Sequence, residues 1–232
     1  MNDIGFYCLS YEHKRKEQIE KVFKRLNINA QIYKGVDFND VRLQNKKLDP
    51  HQKRVWSICY GHLDMIRSFY ESGHSYGIFC EDDIIIRKDF IQHLPSIIAD
   101  FNSMSLDILL LGYLCENPID TYSNFPVKKS DTQPFKYLGY PDELWGAQMY
   151  LISNEHARNI LAKYYEDYAD KTLEDTSIIP FSADWTITKE GHRALIYPLV
   201  AIENMNDEQR DYARDRCLTG CYNFSYTKEL FG

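Results

Sequence analysis

The stretch Tyr76–Phe90, YGIFCEDDIIIRKDF, sets three consecutive carboxylates, Glu81, Asp82 and Asp83, between two apolar runs. Burying a charge without a partner is costly, so acids in such a place need a reason. YGIFC reads as a short core strand, and the acids mark its carboxyl end. On an extended backbone, residues two apart share a face. Glu81 and Asp83 are therefore expected in one cleft, with Asp82 turned elsewhere. Two neighbouring carboxylates repel unless a proton or a cation lies between them. All-oxygen ligands favour Mg2+ or Mn2+, which bind through one or two carboxylates plus substrate phosphates. The plainer alternative is that the acids close the strand end and pair with Arg87 or Lys88.

Working outward, strands and helices alternate. Ile4–Ser10 reads as a strand and Lys14–Leu26 as a helix, with Ile19, Val22, Phe23 and Leu26 on one face. AQIYKGVDF is a second strand ending in a Gly turn, followed by a polar loop over 38–52. Val55–Ser72 is a long amphipathic helix that Gly73 stops. IIADFNS closes another helix and LDILLLGY is a strand. Residues 114–144 read as loop with a hairpin. GAQMYLIS is a strand, Ser153 caps a helix through Tyr168, and 170–182 is irregular. Asp184–Glu190 reads as a short helix stopped by Gly191, and RALIYPLV as a last strand. The short, continuous, apolar strands suit a sheet covered on both faces. The expected fold is α/β, one Rossmann-like domain over 1–232. Its central sheet is mixed but mostly parallel, with helices on both faces. A nucleotide-binding part is expected over about 1–113 and an acceptor-side part over about 114–232.

Bulk composition narrows the function. The chain of 232 residues is 44% hydrophobic and 14% aromatic, which excludes a disordered protein. Its net charge of −7, with Lys and Arg spread among acids, argues against nucleic acid as a partner. Six scattered cysteines without a CxxC pair fit a reducing compartment better than zinc or disulfides. The first ten residues lack the form of a signal peptide, and the apolar runs fall well short of a bilayer span. A cytoplasmic protein without a transmembrane segment is expected.

Four blocks, in order, resemble glycosyltransferase family 25, the lipopolysaccharide and collagen galactosyltransferase-like group with a GT-A fold. They are CLSYEHKRKEQIEKVFKRLNI with YKGVDF; SICYGHLDMIRSFYESGHSYGIFCEDDIIIRKDF; WGAQMYLISNEHARNIL; and ADWTI with LIYPLV. The resemblance implies an inverting transfer of a sugar from a nucleotide-sugar to a hydroxyl of a glycan or glycoconjugate acceptor. A divalent metal, Mn2+ or Mg2+, would sit on the diphosphate. UDP is the expected carrier because most of the resembling family uses it. The family pattern puts nucleoside contacts on Ser10, Tyr11 and Arg15, with Arg15, near a helix start, also placed to contact a phosphate, and a donor-site role on Gly61 and His62. Asp37 would accept a bond from the base. Asp82 and Glu81 would reach the ribose or the donor sugar, and Asp83 with Glu81 would hold the metal. The last histidine, His192, is the candidate for a further ligand, with Glu203 or Asn204 as substitutes. Plainer roles stand beside these: a solvated Arg15, a turn-forming Asp37 and a core His62.

An inverting transfer needs one base facing the acceptor hydroxyl. Asp184 in FSADW is the first candidate, because a helix N-terminus favours an ionised carboxylate. Asp175 in LEDTS and Glu143 in PDELWG are its rivals. Trp145, whose plainer role is core packing, would stack on a sugar face beside Gly146. Two other functions compete: a nucleotide-sugar or glycan-binding module without turnover, and a nucleotidyltransferase. The last would ordinarily carry a Gly-rich basic loop after the first strand, and SYEHKRK has no glycine.

Overall fold

Parallel pairing begins the fold. Strands β1 (Ile4–Ser10) and β2 (Ala30–Lys34) flank helix α1 (His13–Leu26), and β1 pairs in parallel with β2 and with β3 (Tyr76–Glu81). The structure, a computed structural model, describes residues 3–44, 46–115, 126–129, 134–204 and 212–231. Helix α1 buries Ile19, Phe23 and Leu26, the stripe its periodicity predicts, and ends on left-handed Asn27. Helix α2 spans Pro50–Ser72 and starts five residues before the apolar stripe does. Its start is set by local chemistry that periodicity does not register. The Asp49 carboxylate accepts from the Gln52 backbone N–H, the Gln52 side chain returns to the Asp49 N–H, and Pro50 takes the first helical position. Gly73 ends it at φ +76.

Strand β4 (Ile84–Ile86) and helix α3 (Phe90–Ser103) lead to β5 (Ile108–Leu114). The strands β6 (Pro126–Lys129), β7 (Lys136–Leu138) and β8 (Trp145–Ser153) follow. Helices α4 (Asn154–Tyr164) and α5 (Tyr168–Glu174) precede β9 (Arg193–Tyr197) and β10 (Ala201–Glu203). The chain continues through α6 (Tyr212–Ser225) and α7 (Lys228–Phe231). Eight strands form one mixed sheet in the order β2-β1-β3-β8-β5-β9-β7-β6. Only β8 and β7 run against the others, so the sheet is mostly parallel in direction, as expected. Because β8 inserts between β3 and β5, the two ends of the chain share one sheet.

Both sheet faces are covered. One core packs α2 and α4 against the sheet through Phe69, Phe79, Tyr150 and Ile160. The other packs α1 and α3 through Phe23, Ile97, Ile78 and Leu151. The two-sided cover explains why the strands read as continuous apolar runs instead of alternating ones.

Several local expectations give way to tertiary contacts. Past Glu81 the backbone turns at Asp82–Asp83, so the alternation that would set Glu81 with Asp83 stops there. Ile84–Ile86 belongs to a separate two-stranded sheet with β10, where Glu203 pairs with Ile84. The helix expected through Tyr168 stops at Tyr164, and part of the segment expected to be irregular is α5. Asp184–Glu190 is not a regular helix; a single π-helical turn covers Ala183–Ile187. The expected last strand, RALIYPLV, stops at Tyr197, before the Tyr197–Pro198 bond, and β10 follows beyond it. The hairpin expected within 114–144 is β6–β7, and the loop residues 116–125 and 130–133 lie outside the described residues. The two C-terminal helices carry no strong periodic signal, and sequence reasoning missed them.

Candidate active site

The carboxyl ends of β1, β2 and β3 lie side by side, because the three strands are parallel and in register. That is where an open α/β sheet leaves a crevice. Here the crevice is a cavity of about 340 Å³, lined by Tyr11 and Arg15, by Gly35 and Phe38, by Arg54 and Ser57, and by all three acids of the Glu81–Asp83 triplet. Strand alternation sets Asp82 apart from the other two; the turn after β3 brings it into the same cavity.

The floor of the cavity is held by charge-assisted contacts. Ser10 donates its hydroxyl to Asp82 Oδ2 at 2.6 Å. Arg15 Nη1 lies 3.6 Å from Asp82 Oδ1 and 3.5 Å from Asp83 Oδ2. The guanidinium therefore spans Asp82 and Asp83, the pair that alternation would have separated. Burial raises the Asp82 carboxyl pKa above its ordinary value, against the opposing pull of Ser10 and Arg15. Neither Arg87 nor Lys88 is the partner of Asp82 or Asp83 in these contacts: Arg87 pairs with Asp89 at 2.7 Å. The Asn204 N–H donates to the Asp83 carbonyl at 2.6 Å, so buried Glu203 and its neighbour arrive beside Asp83.

Helix α2 delivers a second group of polar residues. His62 is fully buried, with Nδ1 2.9 Å from the Tyr150 hydroxyl and Nε2 3.5 Å from Glu81 Oε1. Burial lowers the imidazole to about 4, opposed by the Asp184 carboxylate, so it is neutral at pH 7. Burial also raises the Tyr150 phenol well above its ordinary range. The phenol therefore keeps its proton and shares one hydrogen bond with Nδ1 of the neutral imidazole. Gly61 permits close packing of α2 on β1: a Cβ there would meet Leu9 Cδ1 at 2.7 Å.

The start of β8 borders this region. Cys80 pairs with Met149, so antiparallel β8 carries Gln148 back to the level of Glu81, and Trp145–Ala147 beyond it. Asp184 is anchored here: its Oδ1 accepts from the Gly146 N–H at 2.8 Å and the Ala147 N–H at 3.0 Å. The carboxylate expected at a helix start thus caps a strand start. Trp145 is 36% exposed at the same rim. Lys189 lies over the Tyr140 ring at 5.0 Å and the Trp185 ring at 5.9 Å, and donates to the Leu144 carbonyl. Burial lowers its ammonium to about 8, opposed by Asp184.

Other expected residues lie elsewhere. Asp37 makes an Asx turn, accepting from the Asn39 N–H at 2.8 Å, and its neighbours Val36 and Phe38 line the cavity instead. Asp175 caps α5 and is held by Ser177, beside a separate groove of about 290 Å³ that Thr176 and Trp56 line. Glu143 is exposed in the turn before β8. His192 is at the opposite rim of the sheet from the acids. Its N–H donates to Asp107 Oδ2 and its Nδ1 lies 3.0 Å from the Ser105 carbonyl, just before β5 begins. Parallel β5 and β9 both start at that rim, so a residue preceding β9 cannot join the acidic end of β3. Three site residues escaped sequence reasoning. Arg54 looks like one more charge on an exposed helix turn, Phe38 like a loop residue and Gln148 like a strand residue. Gln148 is 8% exposed, and its Oε1 is a buried acceptor without a hydrogen-bond donor among the described residues.

Among the described residues no three His, Cys, Asp or Glu side chains form a ready metal cage. What the rim does present is Glu81, Asp82 and Asp83, an all-oxygen donor set on the wall of an open cavity. That set fits the mode in which Mg2+ or Mn2+ takes one or two carboxylates and completes its shell with phosphates and water.

No protein-family model and no curated protein matches the chain. The family 25 resemblance therefore rests on the four sequence blocks. Among solved structures, the chain is similar to a glycosyltransferase involved in the glycosylation of the major capsid of PBCV-1, with a TM-score of 0.40 and 11% identity over 75% of each chain. Among the described residues no helix is long and apolar enough to cross a membrane.

Proposed function

We propose that the protein is an inverting glycosyltransferase of the family 25 type, moving a sugar from a nucleotide-sugar, with UDP as the expected carrier, to a hydroxyl of a glycan or glycoconjugate. The observation that carries this reading is the convergence of Glu81, Asp82, Asp83, Arg15 and two exposed aromatics, Tyr11 and Phe38, on one cavity at the carboxyl ends of β1–β3. Aromatic faces suit a base and a ribose, and the acidic floor suits a diphosphate that carries a divalent cation.

In this reading the nucleoside lies against Tyr11 and Phe38. The sugar projects toward Trp145, Gly146 and Gln148. Asp184 takes the proton of the acceptor hydroxyl. The acceptor oxygen then bonds to the anomeric carbon as the bond from that carbon to the diphosphate oxygen breaks, and the electron pair leaves on the diphosphate. A divalent ion held by Glu81 and Asp83 would supply charge stabilisation of that leaving group. Arg15 holds Asp82 and Asp83 in place before the ligand arrives. His62, neutral and bonded to Tyr150, borders the Glu81 side of the site.

A thermal-shift screen of nucleotide-sugars with and without Mn2+ tests the reading, because a ligand bound only by the native state raises the melting temperature. Hits are then incubated with hydroxyl acceptors. A donor-dependent shift with sugar transfer or donor hydrolysis supports a glycosyltransferase. Binding without any turnover across acceptors supports the binding module instead. No shift with any nucleotide-sugar overturns both.

A further inference from the structure

The cavity is bracketed by two arginines that come from helices on opposite faces of the sheet. Arg15 belongs to α1 and Arg54 to α2, and both line it. Their situations differ. Arg15 is drawn onto Asp82 and Asp83, so much of its charge is answered within the protein. Arg54 is exposed and forms no ion pair with another described residue, although the chain carries more acids than bases. It lies on a helical stripe with Ser57, Ile58 and Gly61, and the first two of these also line the cavity. Gly61 seats that stripe against Leu9, at the end of β1.

The same cavity also carries three carboxylates. An anionic ligand entering there meets repulsion from these acids, and a cation lining the same cavity offsets it. A planar guanidinium is suited to this task, because it can give two parallel N–H bonds to phosphate oxygens.

We propose that Arg54 is the phosphate-reading residue of this cavity, and that it makes the site select nucleoside diphosphates over monophosphates and nucleosides. The proposal rests on the glycosyltransferase reading for the nucleotide, but not for the anion. Tyr11 and Phe38 hold the base end, and the terminal phosphate reaches Arg54.

The test is calorimetric titration of uridine, UMP, UDP and inorganic pyrophosphate, each with Mn2+, into the wild-type protein, Arg54→Gln and Arg54→Lys. GDP, CDP and ADP are run in parallel. Arg54→Gln is expected to lose about ten- to hundredfold in affinity for UDP, or for whichever diphosphate binds best, and for pyrophosphate. The matching nucleoside should be unaffected, and Arg54→Lys should fall between. The exposed position keeps the fold intact, which an unchanged melting temperature without ligand verifies. If wild type and Arg54→Gln bind the diphosphate equally, the inference fails while the glycosyltransferase reading stands. If no nucleotide binds but pyrophosphate does so through Arg54, anion reading by Arg54 stands and nucleotide selection falls with the glycosyltransferase reading. If neither nucleotides nor pyrophosphate bind to the wild type, both are overturned.

Discussion

The hydroxyl of Ser10 donates a 2.6 Å hydrogen bond to Oδ2 of Asp82, a residue 72 positions further along the chain. This contact joins the end of β1 to the turn that follows β3 and closes the cavity floor. Both residues are buried, so the bond is shielded from water.

Replacing Ser10 with Ala should destabilise the protein by about 1–3 kcal/mol, the cost of leaving a buried charged acceptor short of a donor. Urea unfolding measures it. The variant should also bind nucleotide more weakly, because Asp82 is no longer held. Unchanged stability and unchanged binding would mean that the contact contributes nothing to either.

Asp83→Ala should abolish Mn2+-dependent stabilisation by nucleotide-sugar while leaving the metal-free melting temperature close to that of the wild type. For a wild-type site at a hundredfold excess of ligand over Kd, the effect that is lost amounts to about 2.7 kcal/mol. Differential scanning fluorimetry with and without Mn2+ reads it. A variant that keeps the full metal-dependent shift moves the ligand assignment away from Asp83.

Asp184 separates a structural duty from a chemical one. Its Oδ1 answers the Gly146 and Ala147 N–H groups, and an amide oxygen can do the same. Asp184→Asn should therefore fold with stability within about 1 kcal/mol of the wild type, yet lose roughly 10²- to 10⁴-fold in sugar transfer. Asp184→Ala should lose transfer and also about 1–3 kcal/mol for each donor it orphans. Single-turnover transfer and urea unfolding are measured together. Full transfer by the Asn variant would remove Asp184 as the base and return Asp175 and Glu143 to consideration.

His156 gives the stability a pH dependence away from the cavity. It is 2% exposed, its Nε2 has no hydrogen-bond partner among the described residues, and burial lowers its pKa from 6.5, against Asp107 and Glu190. The folded state thus disfavours the protonated ring. Below the unfolded value the unfolded chain binds more protons than the folded one. The contribution of neutral His156 is fully present above about pH 6.5 and is lost as pH falls below it. The urea midpoint of the wild type should fall over that window, and His156→Leu should show a shallower fall. Equal slopes would assign the effect to other groups.

The sequence by itself determined the α/β class, the parallel start, the apolar strands of a doubly covered sheet and the acidic end of β3. These depend on periodicity and on residue type, which are local properties. The Gly73 stop and the burial of Ile19, Phe23 and Leu26 were readable for the same reason. The start of α2 was not read at its true position, because Pro50 and four polar residues precede the stripe and only Pro50 and the Asp49–Gln52 pair mark the boundary.

Only the tertiary structure decided which residues meet. Alternation set Asp82 apart from Glu81 and Asp83, but the turn after Glu81 brings all three to one cavity and sets Asp82 and Asp83 on the same guanidinium. His192 stood as a ligand on sequence order, yet the direction of β9 puts it at the far rim. Arg54 became visible once α2 was laid against the end of β1. The physical reason is the same in each case. Strand direction and turn geometry decide at which end of a sheet a side chain emerges, and both are determined by pairings between residues distant in the chain.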